Sequence, residues 1–128
     1  MPAQTLTHYF AGKASVVAPD LPVHPREAVA FIRQLCTRKQ PDVLAGNSNG
    51  SFLAQIVASE TGLPALLGNP HLDMASFLAE RIGTHTYKSP RADGNQQLTI
   101  DQALIDEFAD LQQHQWDHCR PENRDKVW

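Results

Sequence analysis

The chain has 128 residues, the length of a single domain. Its 41% apolar and 20% charged residues are those of a globular protein, and 11 basic against 14 acidic residues, a net charge of −3, argue against a nucleic-acid or anionic-membrane partner. No window approaches the roughly 18 apolar residues of a membrane span. "MPAQTLTHYF" has no secretory character, and Cys36 and Cys119 lack C-x-x-C spacing, so a cytoplasmic protein with reduced thiols is expected.

"ASVVA" (14–18), stopped by Pro19-Asp20, predicts a buried strand. A helix follows over 25–39. Pro25 suits its first position, Glu27 complements the dipole, and Arg38 and Lys39 favour its end, with Val29, Ile32 and Cys36 sharing one face. "DVLAG" (42–46), entered through Pro41, predicts a second strand. Helical spacing returns over 51–61, with Phe52, Ile56 and then Ala58 or Ser59 on one side and Gly62 placed as a left-handed cap. A third strand is expected near 64–68, before Gly68-Asn69-Pro70. Asp73 and Gly83 bracket a helix over about 73–82 as cap and terminator. Residues 84–97 are rich in turn formers and read as a loop. Thr99-x-x-Gln102 has capping-box spacing, and Ile100, Leu104, Phe108 and Leu111 form the stripe of a helix running to about Trp116. Val127-Trp128 read as the opening of a further strand. Alternating strands and helices, with continuously apolar strand runs, predict the α/β class: a three-layer α/β/α sandwich whose parallel sheet is covered on both faces.

Between the second strand and its helix stands Gly46-Asn47-Ser48-Asn49-Gly50, a G-x-S-x-G spacing. Glycine and serine crowd together in many loops, so the strand before and the helix after are what give the spacing meaning. In that setting the serine sits on a strained turn, with glycines where side chains would collide with strand and helix. The helix N-terminus then aims free N–H groups at any oxyanion that forms. An ordinary glycine turn and a phosphate-binding loop are the alternatives. The latter lacks a Gly-Lys-Ser/Thr ending and G-x-G-x-x-G spacing.

"VVAPDLPVHPREAVAFIRQL", "PDVLAGNSNGSFLAQ", "GNPHLDMASFLAERIGTHTYKSPRADG" and "TIDQALIDEFADLQQHQWD" resemble the YqiA/YcfP-type α/β-hydrolase esterases, and the likeness covers about residues 3–128. The resemblance implies an acyl hydrolase with a Ser-Asp-His triad, acting on a small-molecule ester or acyl substrate without a cofactor. It implies Ser48 as nucleophile, the backbone N–H of Asn49 as an oxyanion-hole donor, and Gly46 and Gly50 as the elbow glycines.

The sequence departs from the family pattern at two points. Asn47 and Asn49 flank the serine where the family has small or apolar residues. No His-Gly loop precedes "AQTLTHYF", which matches the helix after that loop, and no acid and histidine follow later strands. Residues 1–128 therefore read as one partial α/β-hydrolase domain, truncated at both ends, without the strand that belongs between 14–18 and 42–46. Open strand edges, or direct pairing of those two strands, are expected, and with open edges possible homo-oligomers. His71, Asp73 and His85 are the local groups that could substitute in a triad, and each also reads as a surface or cap residue.

His114 and His118, four apart beside Cys119, have the spacing of a zinc or nickel pair, but Gln115 stands where a zincin needs glutamate. A solvated helix end accounts for them, and no metal is expected. Lys88 and Arg91 line an active-site mouth or belong to a structural turn built on Pro90 and Asp93-Gly94. Arg33, Arg38 and Lys39 read as a solvated helix end, and Trp116 and Trp128 as core or interface aromatics.

Overall fold

A computed structural model describes residues 2–88 and 91–127, so the expectations on Pro90 and Trp128 lie outside the described residues. The elements are α1 (Pro2–Tyr9), α2 (Pro25–Lys39), β1 (Leu44–Asn47), α3 (Asn49–Thr61), β2 (Ala65–Gly68), α4 (Met74–Ala79), β3 (Gly83–Thr86), β4 (Gln97–Ile100), α5 (Gln102–Gln113) and a 3₁₀ turn (Pro121–Lys126). The class is mixed α/β. β1 and β2 form a parallel pair in the register Leu44↔Ala65 to Asn47↔Gly68, and β3 and β4 an antiparallel hairpin. Val127 adds a single parallel bridge to Ala65, as the strand opening expected there requires. β2 thus has neighbours on both edges, whereas β1 has one among the described residues.

The core is built around α3. Every residue from Ser51 to Ser59 is buried, the pattern of a helix enclosed on all sides. Phe52, Ile56 and Val57 pack with Val29 of α2, Leu78 of α4, and Leu104 and Phe108 of α5. The Phe52 and Phe108 ring centroids lie 6.0 Å apart. Gly62 closes α3 in the left-handed conformation (φ 81°), as its sequence position predicts. The Arg33 guanidinium grips Glu60 through two parallel bonds of 2.8 and 2.7 Å, so this arginine ties α2 to α3 instead of ending a helix in solvent. The C-terminal segment wraps the far end of α3: Arg120 N–H and Asn123 Nδ2 both donate to Ser59 O, at 3.2 and 3.0 Å. No helix among the described residues is long and apolar enough to cross a membrane.

Four expectations are corrected. Residues 14–18 form no strand, and Val17 is 51% exposed, because a β-branched run becomes a strand only beside a partner and none among the described residues runs along it. Residues 84–86 and 97 lie in the strands of a hairpin, while the described residues between them form the loop expected there. Thr99 therefore lies in β4 facing Thr84 (Oγ–Oγ 3.2 Å), and Asp101 caps α5 by accepting from Leu104 N–H at 2.9 Å. Gly83 opens β3 rather than closing α4, which ends at Ala79. Trp116 is 51% exposed, so of the two places expected for it the core is excluded and the interface is left open. The β1–β2 pair is covered by α3 on one face, while Val43, Ala45 and Leu66 on the other are exposed, so the described residues give a small parallel sheet packed with helices.

Candidate active site

β1 ends at Asn47 and α3 begins at Asn49, which leaves Ser48 alone to reverse the chain. Its backbone has φ 56° and ψ −117°, a conformation that costs a residue with a side chain on the order of 1–3 kcal/mol. The surroundings enforce it. Ser48 N–H donates to Gly68 O at 3.0 Å, and Ser48 O accepts from Ser51 N–H at 2.9 Å and Phe52 N–H at 3.3 Å. A Cβ on Gly46 would lie 2.2 Å from Gly50 O and 2.7 Å from Ser51 N, so β1 meets the first turn of α3 with no room for a side chain. At Gly50 a Cβ would meet nothing within 4 Å, so the collision expected at the second elbow glycine does not occur.

Ser51, which the spacing of the motif does not single out, holds the turn from below. Its buried Oγ lies 2.9 Å from Gly46 O and 2.6 Å from Gly68 O, clasping the ends of β1 and β2. The sequence marks it only as the serine that precedes the apolar run Phe52-Leu53-Ala54.

Ser48 is half-buried, and its hydroxyl has no hydrogen-bond partner among the described residues. The N–H groups of Asn49 and Gly50, the first of α3, are likewise unbonded there. They supply the positive end of the helix dipole beside Ser48. Asn49 Oδ1 is buried without a partner, the cost of a polar side chain where packing favours an apolar one.

None of the three substitute triad groups bonds to Ser48. The His71 ring lies edge-on against Phe77 at 4.5 Å. His85 Nε2 is 2.7 Å from Arg81 O on the exposed hairpin. Asp73 caps α4, accepting from Gln112 Nε2 at 3.0 Å and Ser76 N–H at 3.2 Å, and these bonds hold its carboxyl below the usual range. β2 ends at Gly68 beside the end of β1, and just beyond it Asn69 Nδ2 donates to Asn47 Oδ1 at 3.1 Å.

Residues 3–128 match the Uncharacterised protein family (UPF0227). The chain belongs to this family. No curated protein matches it. The UPF0227 match takes in the serine turn, α2 and the β3–β4 hairpin alike.

Arg91 donates to Leu21 O and stacks 5.9 Å over the Tyr87 ring, while Ala92 N–H donates to Asp20 Oδ2, so Arg91 and Ala92 dock on the Pro19–Pro22 turn. Lys88 is exposed. His114 Nδ1 is 2.7 Å from Asp117 Oδ2, and among the described residues no group of three metal-ligating side chains converges. Two shallow clefts, one lined by Arg33, Glu60, His118 and Arg120 and one by Trp116, Cys119, Asn123, Arg124 and Val127, do not include Ser48.

Proposed function

We propose that Ser48 is the nucleophile of a serine hydrolase that cleaves carboxylic esters or similar acyl bonds of small molecules, with no cofactor. The reading is carried by the Ser48 backbone, at φ 56° and ψ −117° between a parallel strand and a buried helix. Strain of this kind persists where the surroundings over-determine it, and Gly46, Ser51 and Gly68 do so here. The resemblance to the YqiA/YcfP-type esterases supports the same reading, and the full three-layer α/β-hydrolase architecture belongs to this proposal.

In the reaction, Ser48 Oγ adds to the acyl carbon and its proton passes to a base. The carbonyl oxygen becomes an oxyanion facing the Asn49 N–H. Collapse expels the alcohol, which takes up a proton, and water then cleaves the acyl-serine to the free acid. With no imidazole bonded to Ser48 Oγ among the described residues, the proton goes to solvent base. Binding and an oxyanion hole alone leave roughly 10³- to 10⁴-fold catalysis over water. The unactivated hydroxyl and the orphaned Asn49 Oδ1 favour a second reading, an inactive hydrolase-like domain or a non-catalytic binding module.

A fluorophosphonate probe separates the two. The hydrolase reading expects slow labelling that Ser48→Ala abolishes, with a rate that climbs steadily with pH. A plateau between about pH 6 and 7 would instead assign a histidine base. A well-folded chain that takes no label is no hydrolase.

A further inference from the structure

At the end of α3 away from Ser48, a cleft of about 440 Å³ is lined by Arg33, Glu60, His118 and Arg120. Along the helix axis Glu60 stands roughly 18 Å from the serine turn. One wall of the cleft is the Arg33–Glu60 pair. Arg33 spends Nε and Nη2 on the two Glu60 oxygens, which fixes the guanidinium plane and leaves Nη1 without a partner among the described residues. The opposite wall is held by the backbone of Arg120. Its N–H donates to Ser59 O at 3.2 Å, and its carbonyl accepts from the N–H of buried Asn123 at 2.9 Å. The Arg120 guanidinium and the His118 ring make no hydrogen bond or ion pair among the described residues. From the cleft the chain runs on through the 3₁₀ turn to Val127, which bridges Ala65.

We propose that this cleft binds a small phosphate-bearing anion, at a site separate from Ser48. Charge comes first. Glu60 is already matched by Arg33 and its side chain is only 15% exposed, so the one carboxylate in the lining does not repel an anion. Arg120 then leaves an uncompensated positive charge, to which His118 adds when it is protonated. Donor count comes next. Arg33 Nη1, the Arg120 guanidinium and a His118 ring N–H share the cleft, and a phosphate group offers three oxygens and nearly two charges to meet them. A carboxylate offers two oxygens and one charge. Because Arg33 is held by Glu60 before any ligand arrives, less side-chain freedom is lost on binding. No apolar side chain lines the cleft, so recognition falls on the anionic group itself. The net charge of −3 turns away an extended polyanion, which leaves a small molecule as the occupant.

The test titrates inorganic phosphate into the isotope-labelled chain at constant ionic strength and follows amide and arginine Nε–H resonances by NMR, with acetate as the comparison. The expected result is saturable shifts at Arg33 Nε–H and at the backbone N–H groups of His118 to Arg120. Phosphate should bind about tenfold more tightly than acetate, or better. The Arg120 side chain bonds to no described residue, so Arg120→Gln should keep the urea midpoint measured in chloride while phosphate affinity falls about tenfold or more. His118→Gln is a second, independent variant and should weaken binding severalfold, whereas Ser48→Ala should leave it unchanged. The proposal is overturned by shifts that do not saturate, by acetate binding as tightly as phosphate, or by an affinity indifferent to both cleft substitutions. It is equally overturned if the shifts fall on Asn49 and Gly50, which would place the phosphate at the serine turn instead.

Discussion

Gly46 and Gly50 flank the same serine, yet their surroundings set them apart. A methyl group at residue 46 would enter the backbone of Gly50, which cannot withdraw without moving α3. Gly46→Ala should therefore cost about 3 kcal/mol or more, read as a fall in the urea midpoint. Gly50 lies in the first turn of α3 with open space where its Cβ would stand, so Gly50→Ala should leave stability unchanged or raise it by about 0.5–1 kcal/mol. Equal losses from the two substitutions would mean that the turn is held in another way. The G-x-S-x-G spacing reveals the turn but treats its two glycines as equivalent, because a motif records residue type and not what stands opposite it. The same holds for Ser48 and Ser51. One presents a free hydroxyl and the other spends its hydroxyl on two carbonyls, a division that depends on the β1–β2 pairing and that no local pattern contains.

At the scale of elements, α2 and α5 are joined at their polar ends as well as through the core. His24 Nδ1 lies 2.7 Å from Glu107 Oε2, and Arg26 pairs with Asp110. The Glu107 hydrogen bond raises the His24 pKa above its ordinary 6.5, against a smaller opposing effect of burial. Because the folded value is the higher one, this contribution is fully present below about pH 6.5 and is lost as pH rises through the folded value. Stability measured by urea titration should thus decline modestly across that window. Glu107→Gln should flatten the decline, and an unchanged slope in that variant would show that other groups cause it. The helices were legible in the sequence because their ends are marked: Pro25 opens α2, Gly62 closes α3 and Asp73 caps α4. The hairpin was not legible. Thr84, Thr86, Gln97 and Thr99 are exposed, so its strands carry no apolar alternation, and Gly94 and its neighbours dominate the composition. "ASVVA" misleads in the opposite sense, since β-branched residues state a preference that only a neighbouring edge can realise.

For the molecule as a whole, continuous apolar character in β1 and β2 predicts cover on both faces, and the described residues supply it on one. A sequence records that a residue is apolar. It does not record which surface will come to cover it. What covers α3, by contrast, is nearly everything: α2, α4 and α5 on its sides, β1 and β2 beneath, and the C-terminal segment at its far end. Hydrogen–deuterium exchange should accordingly find the amides of Phe52 to Ser59 the slowest in the chain, exchanging only with global unfolding, while β3 and β4 exchange earlier. Comparable rates in the hairpin and α3 would contradict this ordering. Burial in α3 begins at Ser51, three residues beyond the serine turn, so fraying from that end has almost nowhere to go. The left-handed twist at Ser48 is therefore under the custody of the most protected helix in the molecule. It has no private route to a relaxed shape, and the chain surrenders its loaded turn only when it surrenders the fold.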